Sequence, residues 1–129
     1  MKIDYAERAR ALVGTPFRLQ GRGADALDCV GVAMATFGVT VDEVRRNYRM
    51  RGNHEAEVRA ALARDFRSVS PGQMRPGDLM LMRIASDQLH LGVRTAKGFV
   101  HAHAGLRRVV ETPGLPGWPL IAIFRRRKG

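Results

Sequence analysis

Apolar residues recur three and four positions apart in the amino-terminal half of the chain, and this spacing predicts helices. The first helix begins at Asp4, which forms a capping box with Glu7, and it extends to about Val13. The second begins after Asp28 and ends at Gly38, because aspartate favours the start of a helix and glycine favours its end. These two helices are therefore predicted both by their apolar faces and by their terminal residues.

The rest of the amino-terminal half has a weaker pattern. Residues 15–27 contain a proline and two glycines among polar residues and are predicted to form a loop. Residues 40–51 are ambiguous between helix and loop. A third helix follows, with Asn53 as its cap and an apolar face formed by Val58, Ala61, Leu62 and Phe66.

The carboxyl-terminal half changes to the short apolar runs that are typical of strands. Residues 78–84 are apolar at nearly every position, as in a strand covered on both faces. Four further strands are predicted at residues 89–95, 99–103, 107–111 and 120–124. The turns at 96–98 and 104–105 are short enough for hairpins, so the strands should be antiparallel. Helices followed by strands predict an α+β domain, with the helices packed on an antiparallel sheet of about five strands.

Length and composition indicate one domain. The 129 residues are 45% hydrophobic, and no repeat or linker divides residues 1–129. No run approaches the roughly 18 apolar residues that a membrane helix needs, so membrane insertion is not expected. The chain begins MKIDYAER, with charges of both signs where a secretory signal has an apolar core. We therefore expect synthesis in the cytoplasm without a signal peptide.

The charge balance favours anionic partners. Lys and Arg number 22 against 12 Asp and Glu, which gives a formal net charge of +10. The basic run RRRK at 125–128 is interpreted as a solvated tail. A nucleic-acid-binding module stays open as an alternative. No recognition motif accompanies the charge and only 6% of residues are aromatic, so a specific nucleic-acid partner is not expected.

The single cysteine, Cys29, excludes an internal disulfide. It lies in the first turn of the second predicted helix, where the positive end of the helix dipole favours the reactive thiolate. A nucleophilic thiolate needs a base beside it. The chain has four histidines: His54, His90, His101 and His103. His54 is expected to be exposed at a helix start, so the three strand histidines are the candidates.

Strand alternation places His101 and His103 on one face of their strand and His90 on one face of the preceding strand. If the loop between the strands has two residues, all three histidines share one face of the sheet, whereas a three-residue loop would separate them. A shared face would supply a base and a second histidine to orient it, as in cysteine proteases. The same residues also fit core histidines and a structural cysteine.

A metal site is a competing interpretation of this cluster. His101 and His103 should lie roughly 6–7 Å apart on one face, where Cys29 or His90 could join them. No carboxylate or second cysteine sits at ligand spacing nearby. The sequence therefore favours catalysis without a metal or any other cofactor.

Five short strings extend this interpretation to most of the chain. In chain order they are LVGTPF (12–17), DCVG (28–31), PGDL (76–79), HLGV (90–93) and FVHA (99–102). In order and spacing they resemble the NlpC family of cell-wall cysteine peptidases, and the branch encoded by tailed phages and gene transfer agents in particular. The resemblance implies a circularly permuted papain-like fold, with Cys29 as nucleophile, His90 as base and His101 as the third polar residue. It favours His101 over His103, between which alternation does not choose.

The resemblance also implies a substrate, the stem peptide of peptidoglycan, cut at the bond between D-γ-glutamate and the diamino acid. Residues expected to contact the substrate are Phe17, Asp28, Val30 and His103. Many family members carry tyrosine at the position of Phe17 and serine at that of Val30, so these contacts are expected to differ here.

A phage tail or gene-transfer particle would carry an enzyme without an export signal to the periplasm, with other tail proteins as its partners. The alternative from a different class is a structural tail-tip protein that keeps the fold without turnover.

Overall fold

A computed structural model of the chain describes residues 2–17, 22–23, 26–39, 55–86 and 88–127. Its helices are α1 (Tyr5–Arg10), α2 (Cys29–Phe37) and α3 (Glu55–Ala63), with a 3₁₀ turn at Pro71–Gln73. Its strands are β1 (Arg22–Gly23), β2 (Ala26–Leu27), β3 (Phe66–Val69), β4 (Leu79–Ala85), β5 (Gln88–Arg94), β6 (Gly98–His103), β7 (Arg108–Pro113) and β8 (Leu120–Arg126). The ambiguous residues 40–51, the cap at Asn53 and His54 lie outside the described residues.

Both predicted ends of α2 are confirmed. At its start, Asp28 Oδ1 accepts a hydrogen bond from the backbone N–H of Gly31 at 2.8 Å. At its end, Gly38 has a left-handed φ of +66°, which a residue with a Cβ would adopt only at a cost. Because Asp28 caps the helix, Cys29 is the first residue of α2.

α1 is shorter than predicted. Asp4 is confirmed as its cap, since Asp4 Oδ1 accepts a backbone hydrogen bond of 3.1 Å in the first turn. The helix nevertheless ends at Arg10, not near Val13. Leu12 and Val13 donate to carbonyls three residues back, at 2.9 and 3.1 Å, so the chain tightens into a turn. Among the described helices, none has the length and apolar character that crossing a membrane requires.

Within the described residues, six strands form one antiparallel sheet in the order β3-β8-β4-β5-β6-β7. The α+β class is confirmed, with one strand more than the expected five. The additional strand is β3, whose residue Phe66 was wrongly assigned to the third helix. Phe66 pairs with Arg126 in β8, and its ring contacts that of Phe37 edge-on with centroids 5.0 Å apart. Strand pairing and burial of the Phe66 ring therefore outweigh its helical spacing from Leu62.

The predicted loop at 15–27 was also wrong in part, because β1 and β2 form a short hairpin within it. The residues before this hairpin form backbone hydrogen bonds with β7 and with the turn that precedes β7. Thr15 O accepts from Val109 N at 2.8 Å, and Phe17 N donates to Arg107 O at 2.9 Å. Backbone hydrogen bonds thus hold Phe17 beside the β6–β7 turn.

The two faces of the sheet bury different clusters. The face toward the helices carries the larger cluster, which includes Leu79, Leu81, Leu89, Leu91, Val93, Val100, Ala102, Val109 and Phe124. The opposite face carries Met80, Met82 and Phe99, packed against Met74, Trp118 and Leu120. β4 contributes to both clusters, as its uninterrupted apolar run predicted.

The interpretation of the basic run at 125–128 as a solvated tail was wrong for Arg125 and Arg126, which lie in β8 and are half-buried. Arg125 forms two hydrogen bonds of 2.8 Å with the carboxylate of Asp78, which is 1% exposed. A third donor of Arg125 reaches the carbonyl of Gln73 at 3.0 Å. Arg125 therefore joins the last strand to the start of β4 and the residues before it.

Other arginines bind carbonyl oxygens at the ends of helices. Arg126 Nε donates to Phe37 O at 3.2 Å, and Arg127 Nε donates to Ala63 O at 3.2 Å. Phe37 and Ala63 are the last residues of α2 and α3. Such carbonyls have no partner within their own helix, and the negative end of the helix dipole favours a cation there. These side chains are thus part of the fold.

Replacement of Arg125 by methionine should lower the free energy of unfolding by about 2–4 kcal/mol, because it leaves the Asp78 carboxylate buried without its charged partner. Urea unfolding measures the change. The matched control is Arg59→Met, which breaks a more exposed helical pair with Glu55 and should cost less than about 1 kcal/mol. Equal losses in the two variants would contradict a structural role for the Arg125–Asp78 pair.

Candidate active site

The β5–β6 hairpin brings the strand histidines onto one face. Arg94 pairs with Phe99, and Thr95 N donates to Gly98 O at 2.8 Å, so the loop consists of residues 96–97. This is the two-residue loop on which the shared face depended. The face is the one opposite the helices, where Phe99 belongs to the smaller cluster.

His90 and His101 are directly hydrogen-bonded. The distance from His90 Nε2 to His101 Nδ1 is 2.9 Å, and the two rings are nearly perpendicular. His101 Nε2 continues the chain to Thr112 Oγ1 at 2.8 Å. His101 is 1% exposed and His90 is 9% exposed. The expected contact between His90 and His101 is present, and the structure extends it to a third residue that the sequence did not indicate.

His103 has a different environment. Its Nδ1 accepts a hydrogen bond from Leu106 N at 3.0 Å, in the turn between β6 and β7. Its ring lies 5.7 Å from that of His101, centroid to centroid. His103 therefore stabilises the turn, while His101 makes the hydrogen bond to His90.

Trp118 covers the histidine pair and was also missed at the sequence level. Its ring lies edge-on to both His90 and His101, with centroids 5.8 Å away in each case. Phe99 stacks at a tilt on His101, 4.6 Å between centroids. A Cβ at Gly92 would lie 3.2 Å from the Phe99 ring, so glycine there leaves room for the aromatic cover. The chain has one tryptophan, but no periodicity connects it to the histidines.

Burial determines the charge of the two histidines. Burial, followed by the effects of His101 and then His103, lowers the pKa of His90 to about 3. Burial, followed by the effect of His103, lowers the pKa of His101 to about 4. Both rings are therefore neutral near pH 7, and a neutral imidazole can accept a proton.

These lowered pKa values predict that the protein loses stability as the pH falls from 6.5 towards 4. In that window the unfolded chain binds protons at His90 and His101 that the folded chain does not bind, so acid favours unfolding. His90 alone should contribute about 1.4 kcal/mol per pH unit below its ordinary pKa. Denaturant unfolding across this window measures the slope. The slope should be smaller in His90→Gln, and an unchanged slope would contradict the prediction.

Cys29 lies at the head of α2, which packs against β5 and β6. Its side chain is 9% exposed and belongs to the larger cluster beneath the helix. β5 and β6 are paired at Val93–Val100 and Arg94–Phe99, near their hairpin loop. His90 lies farther along β5, beyond these pairs. Cys29 belongs to the cluster on the helix side of the sheet, whereas the histidine pair lies on the opposite face. The approach of the Cys29 sulfur to His90 therefore stays a prediction, and it requires contact where β5 and β6 extend beyond these pairs.

Of the residues expected to contact the substrate, Asp28 and Val30 are the chain neighbours of Cys29, and Phe17 packs against the cluster that contains Cys29. Asp28 is buried, and one carboxylate oxygen caps α2. Val30 and Phe17 are half-buried and pack against the larger cluster. Their contacts with a substrate stay predictions, as does that of His103. In the described part of the chain, no group of three or more His, Cys, Asp or Glu side chains is placed to hold a metal ion.

The fold is the papain-like α+β fold expected from the motifs, with a cysteine at the head of a helix and a histidine pair on the sheet. The model of the NlpC/P60 family matches residues 14–118, which include Cys29, His90 and His101. The chain belongs to the NlpC/P60 family. No curated protein sequence matches it.

Solved structures support the fold. The chain is similar to NlpC2 from Trichomonas vaginalis, with a TM-score of 0.68 and 17% identity over 96% of this chain and 46% of that one. For the peptidoglycan hydrolase RipB from Mycobacterium tuberculosis the TM-score is 0.60, with 20% identity over 95% of this chain and 62% of that one. RipD from the same organism is described as a non-catalytic NlpC/p60 domain protein adapted to peptidoglycan binding. It gives a TM-score of 0.58 and 17% identity, over 95% of this chain and 94% of RipD. The chain spans less than half the length of NlpC2.

Proposed function

We propose that the chain is a cysteine endopeptidase that hydrolyses an amide bond in the stem peptides of peptidoglycan. The observation that carries the proposal is the buried hydrogen bond between His90 and His101, in an NlpC/P60 domain with Cys29 at the head of a helix. A histidine held by a second polar group and a cysteine at a helix start are the parts that thiol catalysis uses. Peptidoglycan is the substrate of the similar protein RipB.

The proposed reaction has two stages. In the first, His90 Nδ1 takes the thiol proton of Cys29, and the thiolate attacks the carbonyl carbon of the amide. Backbone N–H groups at the start of α2 stabilise the oxyanion, and His90 returns the proton to the leaving amine. In the second, water attacks the thioester while His90 takes its proton, and the carboxylic acid leaves as the thiol re-forms. No step uses a metal or another cofactor.

The neutral state of His90 suits the first proton transfer. A low pKa means that the imidazolium is unfavourable in this buried site without a nearby negative charge. Transfer of the thiol proton creates that negative charge on sulfur at the same moment. His90 is thus expected to become charged only as the nucleophile forms.

The proposed scissile bond joins D-γ-glutamate to the diamino acid. The motif strings support this choice, and the half-buried Phe17 and Val30 pack against the cluster that contains Cys29. Asp28 and His103 are proposed as further substrate contacts. Phe17 and Val30 replace the tyrosine and serine of many relatives, so their side chains would offer the stem peptide apolar contacts in place of hydroxyl groups.

Mass spectrometry of purified muropeptides incubated with the protein tests activity and bond together. The expected products are fragments cut after D-γ-glutamate. Cleavage at a different amide would change the assigned bond, and intact muropeptides under all conditions would overturn the proposed activity.

We also propose that the enzyme is part of a phage tail or gene-transfer particle, made in the cytoplasm and carried to the periplasm. The motif strings resemble that branch, and the net charge of +10 suits an anionic envelope surface. Mass spectrometry of particles purified from the organism that encodes the chain should detect it, together with its tail-protein partners. Its absence from such particles would contradict this location.

A second candidate function is a structural tail-tip role without catalysis. RipD shows that an NlpC/p60 domain can be non-catalytic and adapted to peptidoglycan binding. The departures at Phe17 and Val30 are the residues of this chain that favour such a role. Sedimentation with purified sacculi, in the absence of any released muropeptide, would support it over the peptidase.

A further inference from the structure

The series of hydrogen bonds that begins at His90 ends at the hydroxyl group of Thr112. Thr112 lies on β7 and pairs with Phe99 of β6, while His101 pairs with Val110. Thr112 is therefore the diagonal neighbour of His101 on the same face of the sheet. Its Oγ1 lies 2.8 Å from His101 Nε2.

The direction in which these hydrogen bonds are donated depends on the charge of His90. A charged imidazolium has N–H donors at both nitrogens, so His90 Nε2 must then donate to His101 Nδ1. His101 Nδ1 can accept only if the proton of His101 is on Nε2. His101 Nε2–H must then donate to Thr112 Oγ1. A protonated His90 is thus compatible with one arrangement of the ring protons. That arrangement requires residue 112 to accept a hydrogen bond from His101 Nε2–H.

The opposite direction would disable His90 as a base. If the Thr112 hydroxyl donated to His101 Nε2, His101 Nδ1–H would donate to His90 Nε2. His90 would then carry its proton on Nδ1, the nitrogen that the proposed reaction needs free. The two directions differ in which nitrogen of each ring holds the proton.

Burial makes the acceptor at Thr112 necessary. His101 is 1% exposed, with Phe99 on one side and Trp118 edge-on to its ring. A buried N–H without an acceptor is costly. Among the described residues, Thr112 Oγ1 is the hydrogen-bonding partner of His101 Nε2.

We propose that Thr112 is a positioning residue, whose hydroxyl accepts the His101 Nε2 proton and thereby fixes the tautomers of His101 and His90. This leaves His90 Nδ1 free to take a proton. The direction of these hydrogen bonds and the consequence for turnover both rest on the proposed peptidase function, whereas the tautomers can be measured whether or not the protein is active.

The first test is the nitrogen-15 spectrum of the histidine rings at neutral pH, which distinguishes a protonated ring nitrogen from a bare one. The wild-type protein should hold the proton on Nε2 in both His90 and His101. Thr112→Val keeps the shape of the side chain but removes the acceptor, so the His101 signals should shift towards the Nδ1–H tautomer. Thr112→Ser keeps the hydroxyl and should preserve the wild-type signals.

The matched control is Thr95→Val. Thr95 also has a hydrogen-bonded hydroxyl, directly after β5, but its partners are Glu111 and Gly98. This variant should leave the ring tautomers unchanged. Wild-type tautomers in Thr112→Val, or an Nδ1–H tautomer of His101 in the wild-type protein, would overturn the proposal.

The second test is kinetic. Thr112→Val should lower kcat on muropeptides roughly ten- to a hundredfold with little change in KM, since Thr112 acts through the histidines. Thr112→Ser should restore most of the rate. If the wild-type protein cleaves no muropeptide, the peptidase proposal fails, and the nitrogen-15 spectra still decide the role of Thr112. A Thr112→Val enzyme with wild-type kcat and shifted tautomers would overturn the catalytic consequence.

Discussion

Replacement of Cys29 by alanine should abolish the release of fragments from purified muropeptides. The sulfur is the nucleophile of the proposed reaction, and alanine supplies no group that can form the thioester. The free energy of unfolding should change by less than about 1 kcal/mol, because the substitution removes one small side-chain atom from the first turn of α2. Muropeptide mass spectrometry measures the first effect and denaturant unfolding the second.

The two measurements together separate a catalytic cysteine from a structural one. If Cys29 were structural, the alanine variant would show the reverse pattern. Its free energy of unfolding would fall, and the activity per folded molecule would equal that of the wild-type protein. Cys29→Ser serves as the matched variant, since it keeps a hydrogen-bonding group of similar size but a much weaker nucleophile. Wild-type turnover in the folded alanine variant would end the cysteine-peptidase proposal.

Replacement of His101 by alanine should lower kcat by a factor on the order of 10² to 10⁴, with a modest change in KM. His101 holds the far nitrogen of His90 at 2.9 Å, so its loss frees the ring and the tautomer of the proposed base. The His101 side chain is also buried, so the variant will be less stable and its kinetics belong at a temperature where it is folded.

His103→Ala is the matched control for this variant. His103 lies two residues farther along β6 on the same face, but its ring nitrogen binds the turn at Leu106. Its removal should affect turnover far less than the removal of His101. A larger loss of kcat in His103→Ala than in His101→Ala would assign the orienting role to His103 and contradict the structure-based choice.

The grouping of the histidines could be predicted from the sequence because it depends on local rules. Side chains alternate along a strand, and a two-residue loop preserves the face across a hairpin. Both ends of α2 could also be predicted, because Asp28 favours the start of a helix and Gly38 favours its end. The choice of His101 over His103 required the family resemblance, because alternation treats these two residues alike.

Thr112 and Trp118 were not predicted because their positions depend on register and on a longer connection. Thr112 meets His101 diagonally across the β6–β7 ladder, and the predicted strand stopped one residue short of it. Trp118 belongs to the connection between β7 and β8, whose path has no periodic signal. Phe66 was misassigned because four-residue spacing fits a helix equally well, and its partner strand β8 lies far along the chain.

The position of β8 has a consequence for how the chain assembles. It follows all the other strands in sequence, yet it lies between β3 and β4 in the sheet. Until β8 has been synthesised, β3 has no neighbour and one edge of the strongly apolar β4 stays open. Open apolar edges are where partly folded chains associate with one another. During translation, closure of the sheet therefore waits for the last strand, and the nascent chain is most exposed to aggregation just before that strand is inserted.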